Sequence, residues 1–136
     1  NHDELNMIND LKGSQIGSSE WEKTYNQSKF GISQISKNGS MIFTGVALNI
    51  SGIDQYNISA FNETGELIWS YQSNWIYSYS IQQMILNEDE TLLYVFGEYF
   101  NSTAGLEEMN LYLSVFYANN GTLKIETFFC NTIDML

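Results

Sequence analysis

Nucleophilic catalysis needs a base within reach of a thiol or hydroxyl, and this sequence holds one histidine, His2, and one thiol, Cys130. The histidine stands in the expected N-terminal tail, so no Cys–His pair is expected. A structural zinc site takes four Cys or His ligands, more than the chain contains. The acidic run Glu88-Asp89-Glu90 lacks the alternating Asp/Asn spacing and the glycine of a calcium-wrapping loop and reads as a solvated hairpin tip. Glycoside hydrolysis asks for two carboxylates in a groove. Glu66, Glu98 and Glu107 are the candidates among 16 acids, and nothing beside them in sequence would raise a pKa. The glycines are dispersed at turns, with no phosphate-cradling loop. The expectation is a non-enzyme without cofactor or metal.

Two other residue sets carry chemistry of a different kind. Trp69, Tyr71, Trp75, Tyr77 and Tyr79 recur at period two, which places large rings on one face of an extended segment. Such a face is either packed interior between sheets or a platform for sugar stacking, with Trp69, Trp75 and Tyr77 as the stacking candidates. The second set is seven Asn-x-Ser/Thr triplets, at Asn26, Asn38, Asn49, Asn57, Asn62, Asn101 and Asn120. From 15 Asn and 23 Ser/Thr, chance gives roughly 2.5 such triplets, and the motif accepts N-glycans only in a secretory compartment. Turn propensity alone accounts for Asn38 and Asn120. The excess predicts a secreted or cell-surface glycoprotein.

Composition narrows the class further. A formal charge of −11, with no arginine among five basic residues, opposes binding to a phosphate backbone, so no nucleic-acid partner is expected. No apolar run approaches the roughly 20 residues of a spanning helix. Cys130 has no internal partner and is either a buried thiol or a bond to another chain or to a missing segment. A start at Asn1 without a leader reads as a processed chain or a piece of a larger one. The length suits one domain with a core of its own, and the 15% share of aromatics favours β-structure.

From Gly31 onward, short apolar stretches alternate with turn chemistry. Strands are expected at 32–36, 41–48, 56–61, 66–72, 79–86, 91–100, 110–117 and 122–129, with Lys37-Asn38-Gly39-Ser40 as a two-residue Asn-Gly hairpin. Aligning glycines sets Gly45 against Gly97 and Gly65 against Gly121, a period of 52 to 56 with four strands per unit, as in a propeller blade. Asn62-Glu63-Thr64-Gly65-Glu66-Leu67-Ile68-Trp69 resembles the Asp-x-x-Gly-x-x-x-Trp hairpin of PQQ-like and SBBP-type extracellular propeller repeats. The resemblance spans about 100 residues, from Trp21 to Phe129, but Asn62 replaces the usual Asp and Ile125 stands in the second copy's Trp position. It implies the blade and no enzyme residues.

The expected organisation is all-β, two four-stranded antiparallel propeller-like blades at 31–74 and 75–129. They follow a tail or short helix at 1–20 and an orphan outer strand at 21–30 that begins with Trp21; 130–136 is a tail. The functional expectation is a non-catalytic, extracellular, N-glycosylated structural or adhesive protein. It would be part of a surface assembly or filament, partnered by copies of itself or by other blades of a longer chain. The alternative is a lectin-like carbohydrate-binding module.

Overall fold

In a computed structural model, residues 21–24, 28–73, 78–100 and 109–129 are described. Eight strands follow in order: β1 (Ser28–Ile35), β2 (Met41–Ile50), β3 (Ile53–Asn62), β4 (Leu67–Gln72), β5 (Ser78–Leu86), β6 (Leu92–Phe100), β7 (Met109–Tyr117) and β8 (Leu123–Phe129). They pair only with sequence neighbours, giving two antiparallel meanders, β1-β2-β3-β4 and β5-β6-β7-β8. The class is therefore all-β, as the alternation predicts. The two sheets stack face to face, and no ring closes among the described residues.

Each sheet has a face towards the next unit along the chain and a face towards the previous one, here its leading and trailing faces. The leading face of the first sheet carries Phe43, Tyr56, Ile58, Ala60 and Trp69. It packs on the trailing face of the second, which carries Tyr79, Ile81, Leu93, Val95, Tyr112 and Phe116. Tyr56 stacks on Tyr112 at 5.3 Å between ring centres and meets Tyr79 edge-on at 5.1 Å, arrangements that suit the ring quadrupole. The Tyr56 hydroxyl is shared with Ser114 Oγ at 3.1 Å, and the Tyr112 hydroxyl donates to the Ser80 carbonyl, so the buried phenols are not orphaned. Burial pushes both phenols well above the ordinary tyrosine range.

Turn chemistry sets the registers. Ser51 and Gly52, both at positive φ, make the two-residue hairpin between β2 and β3. The β1–β2 connection is not the expected two-residue turn. Ser36 N–H donates to Met41 C=O and Gly39 N–H to Ser36 C=O, so four residues stand outside the ladder. Gly39 has positive φ but Asn38 does not, whereas the two-residue form needs both.

The glycine alignment of Gly45 with Gly97 is one residue out of step. The β5–β6 turn repeats the β1–β2 turn with Asn87 in the place of Ser36, Asp89 in that of Asn38 and Glu90 (φ 61°) in that of Gly39. That spacing of 51 sets Gly45 against Phe96. A one-residue shift in a strand exchanges the faces. Gly45 accordingly lies on a leading face, under the Ile81 side chain, while Gly97 lies on a trailing face, where a Cβ would collide with the Ser80 carbonyl. Pairing also begins at Ser28, inside the stretch read as an orphan strand, while Trp21–Thr24 lie outside any strand. The expectations for 1–20 and 130–136 lie outside the described residues.

Candidate functional site: a repeated joint between sheets

The two sheets are locked by Trp69 at the middle of β4. Its side chain is 8% exposed, and Nε1 donates to the Ala118 carbonyl at 2.8 Å. The indole lies on Gly121 in the β7–β8 turn, close enough that a Cβ there would collide with ring carbons, and beside Phe116 at 6.1 Å. Gly121 sits at φ +74°. Glycine is required here twice over, for the left-handed backbone and for the approach of the ring.

Trp21 repeats this joint one unit earlier. Its Nε1 donates to the Glu63 carbonyl at 3.1 Å, and its ring lies on Gly65 (φ +87°) and beside Phe61 at 5.6 Å. Phe61 and Gly65 occupy in the first sheet the positions of Phe116 and Gly121 in the second, because Phe61 pairs with Leu67 as Phe116 pairs with Leu123. One ring, one glycine, one carbonyl and one phenylalanine thus recur at both joints.

At the same end of the stack the turns touch. Lys37 N–H donates to Glu90 Oε2 at 2.9 Å, and Lys37 Nζ to the Glu88 carbonyl at 3.0 Å. The acidic tip is therefore partly neutralised by the neighbouring turn rather than wholly solvated. Between this bridge and the Trp69 joint lies a cleft of about 370 Å³, floored by Met41, Phe43, Ile68 and Leu86 and rimmed by Ser40, Glu90 and Asn119. No Trp or Tyr ring lines it.

Four turns share a local device. Asn38 Oδ1 accepts from the backbone N–H and hydroxyl of Ser40, Asn62 Oδ1 from those of Thr64, and Asp89 Oδ1 from those of Thr91; Asn120 Oδ1 accepts from Thr122 N–H. This is the Asx-turn, in which a short side chain satisfies the backbone two residues on. Asp89 performs it without being a glycan acceptor, so the Asn-x-Ser/Thr spelling at Asn38, Asn62 and Asn120 follows from turn mechanics. Asn49 donates Nδ2–H to Asp54 at 2.8 Å, and Asn57 donates to Ser70 while accepting from Ser59. Asn26 and Asn101 lie outside the described residues.

The remaining candidates are dispersed. Trp69 has one indole face on Gly121 and its edge bonded, which removes it as a sugar platform. Trp75 and Tyr77, with His2, Glu107 and Cys130, lie outside the described residues. Glu66 is held by Asn62 in its own turn and Glu98 by Gln82 Nε2 at 2.6 Å, so the two are fixed to different sheets by local amides. No group of acids, His or Cys among the described residues is placed to hold a metal ion. No described helix is long and apolar enough to cross a membrane. Sequence reasoning placed Trp21 at the head of an outer strand and Trp69 in a blade hairpin but missed Ala118, Glu63 and Phe61, whose part in the joint depends on pairing register. No family model, curated protein or solved structure matches the chain.

Proposed function

We propose that this chain is a non-catalytic structural module of an extracellular, N-glycosylated assembly, built from propeller-like sheets that stack by a repeated tryptophan-to-glycine joint. The observation that carries the reading is the second joint. Trp21 meets the first sheet as Trp69 meets the second, so the stacking step is a rule applied more than once. A repeated step between like units is how extended or closed architectures are made. The secretory part of the reading rests on the triplets that turn mechanics does not account for, at Asn26, Asn49, Asn57 and Asn101. Copies of the same chain are the partners, and the adhesive role belongs to the assembly.

The carbohydrate-binding reading is weaker because the Trp69 ring is covered and the cleft beside its joint is floored by aliphatic side chains and Phe43.

Mass tests the proposal. The native particle, measured by light scattering from a secreting eukaryotic host, is expected to exceed the 15.6 kDa chain severalfold and to lose mass on N-glycanase treatment. A 15.6 kDa particle that loses nothing would remove the glycoprotein and assembly arguments together.

A further inference from the structure

Two Asn-Gly pairs stand in the turns, Asn38-Gly39 between β1 and β2 and Asn120-Gly121 between β7 and β8. Asparagine is thermolabile, and before glycine it is most open to loss of ammonia, because no side chain shields the following backbone nitrogen. In that reaction a base takes the glycine N–H proton and the nitrogen attacks the asparagine Cγ. The Cγ–Nδ2 bond breaks, and ammonia departs with a proton. Water then opens the cyclic imide at either carbonyl, leaving aspartate or isoaspartate, so the net change is one water in and one ammonia out. Isoaspartate carries its Cβ in the main chain and lengthens the backbone by one bond.

Both reacting groups are held in the folded turns. Gly39 N–H donates to Ser36 C=O at 2.9 Å and Gly121 N–H to Tyr117 C=O at 2.8 Å. Asn38 Oδ1 accepts three bonds, from the Ser36 hydroxyl and from the N–H and hydroxyl of Ser40, whereas Asn120 Oδ1 accepts from Thr122 N–H. Hydrogen bonds alone would therefore protect Asn38 the more. What lies over the glycine differs in the opposite sense. Gly39 has open space around it, while Gly121 lies under the ring carbons of the buried Trp69. The Gly121 nitrogen cannot swing towards the Asn120 Cγ until the indole leaves its bed.

We propose that Asn120 is a site of spontaneous modification at which the joint between the sheets is opened irreversibly, with Trp69 as its guard. While the indole lies on Gly121 the step is blocked, and each opening of the joint permits it. The two products differ in effect. Asp89 shows that a carboxylate oxygen serves this Asx-turn as an amide oxygen does, so conversion to aspartate leaves the joint intact. Isoaspartate inserts one main-chain atom immediately before Gly121, on whose place both the turn and the ring contact depend, and adds a negative charge to a chain of net charge −11. The indole then has no bed to return to. This goes beyond the stacking role and holds whether or not copies assemble.

The test uses the full chain from a bacterial host, where no sugar on Nδ2 blocks the step. It is aged in mildly alkaline buffer with and without guanidinium, and both pairs are followed by peptide mapping with chromatographic separation of aspartate from isoaspartate. In guanidinium the two asparagines are expected to react at similar rates. In the folded chain Asn120 is expected to be slowed more than Asn38, by about tenfold or more, since its opening must also part the indole from Gly121. Equal slowing, or greater slowing at Asn38, overturns the guard, because the turn hydrogen bonds alone would give that order. The consequence is read on the chain that bears isoaspartate at position 120 alone, isolated after ageing and compared with freshly prepared Asn120→Asp by chemical denaturation. Isoaspartate is expected to lower the midpoint while Asn120→Asp stays close to wild type. Equal midpoints for the two would overturn the lesion of the joint.

Discussion

A methyl group added at Gly121 meets two costs at once. The left-handed backbone penalises a non-glycine residue by roughly 1–2 kcal/mol, and the new Cβ must displace the Trp69 indole from its bed. Gly121→Ala is expected to destabilise the protein by more than the backbone term alone, and Gly39→Ala, at similar φ with open space around it, by that term only. Chemical denaturation of the two variants separates backbone strain from joint packing. Glu126 makes a second residue-scale prediction. It pairs with Ser114 near Tyr56, Tyr71 and Tyr112, and partial desolvation on the side facing these rings raises its carboxyl above the ordinary value, although the residue keeps an exposed edge. The folded state thus holds this proton more tightly than the unfolded chain. The associated stability is complete below the unfolded carboxyl value and is lost as pH rises through the raised one. Glu126→Gln should be more stable than wild type at neutral pH, with the gain vanishing towards pH 4, as melting temperatures across that range would show.

At the scale of the element, the Asx-turn is the unit of design. Asp89 lies in the acidic tip, where the Thr91 hydroxyl and N–H hold its carboxylate below the usual range. That contribution is present above the unfolded value and is lost as pH falls through the lowered one. Asp89→Asn keeps the acceptor oxygen and should fold normally, while Asp89→Ala loses it and should be less stable at neutral pH. The Asn substitution also turns 89–91 into an eighth acceptor triplet, so one additional glycan by mass spectrometry from a secreting host would show that these turns are open to modification. All eight strands were legible in the sequence, because alternation and turn residues are local signals. Less legible were the register of β6, where matching Gly45 to Gly97 ignored the equivalence of Asn38 with Asp89, and the joint, where the partners of Trp69 lie 47 or more residues away. Nothing in the spelling of Ala118 marks its carbonyl as an indole acceptor. The buried state of Trp69 was one of two readings that period-two aromatics left open, and only packing against the second sheet separates them.

For the whole molecule, cohesion within each sheet comes from backbone ladders, whereas cohesion between sheets comes from side chains: the Trp69 joint, the Tyr56–Tyr112 stack and the Lys37 bridge between turns. These have different tolerances. A ladder is insensitive to most substitutions at exposed positions, while the stack depends on a few buried rings, so core changes at Tyr56 or Trp69 should destabilise both sheets together, because they share one core. A corollary concerns light. Both described tryptophans sit at stacking steps, so each indole's emission reports the wetness of its own joint. Loss of Trp21 from Gly65 would redden that indole's emission while Trp69 stays dry, which makes the opening of one step visible in a Trp75→Phe background without any added label.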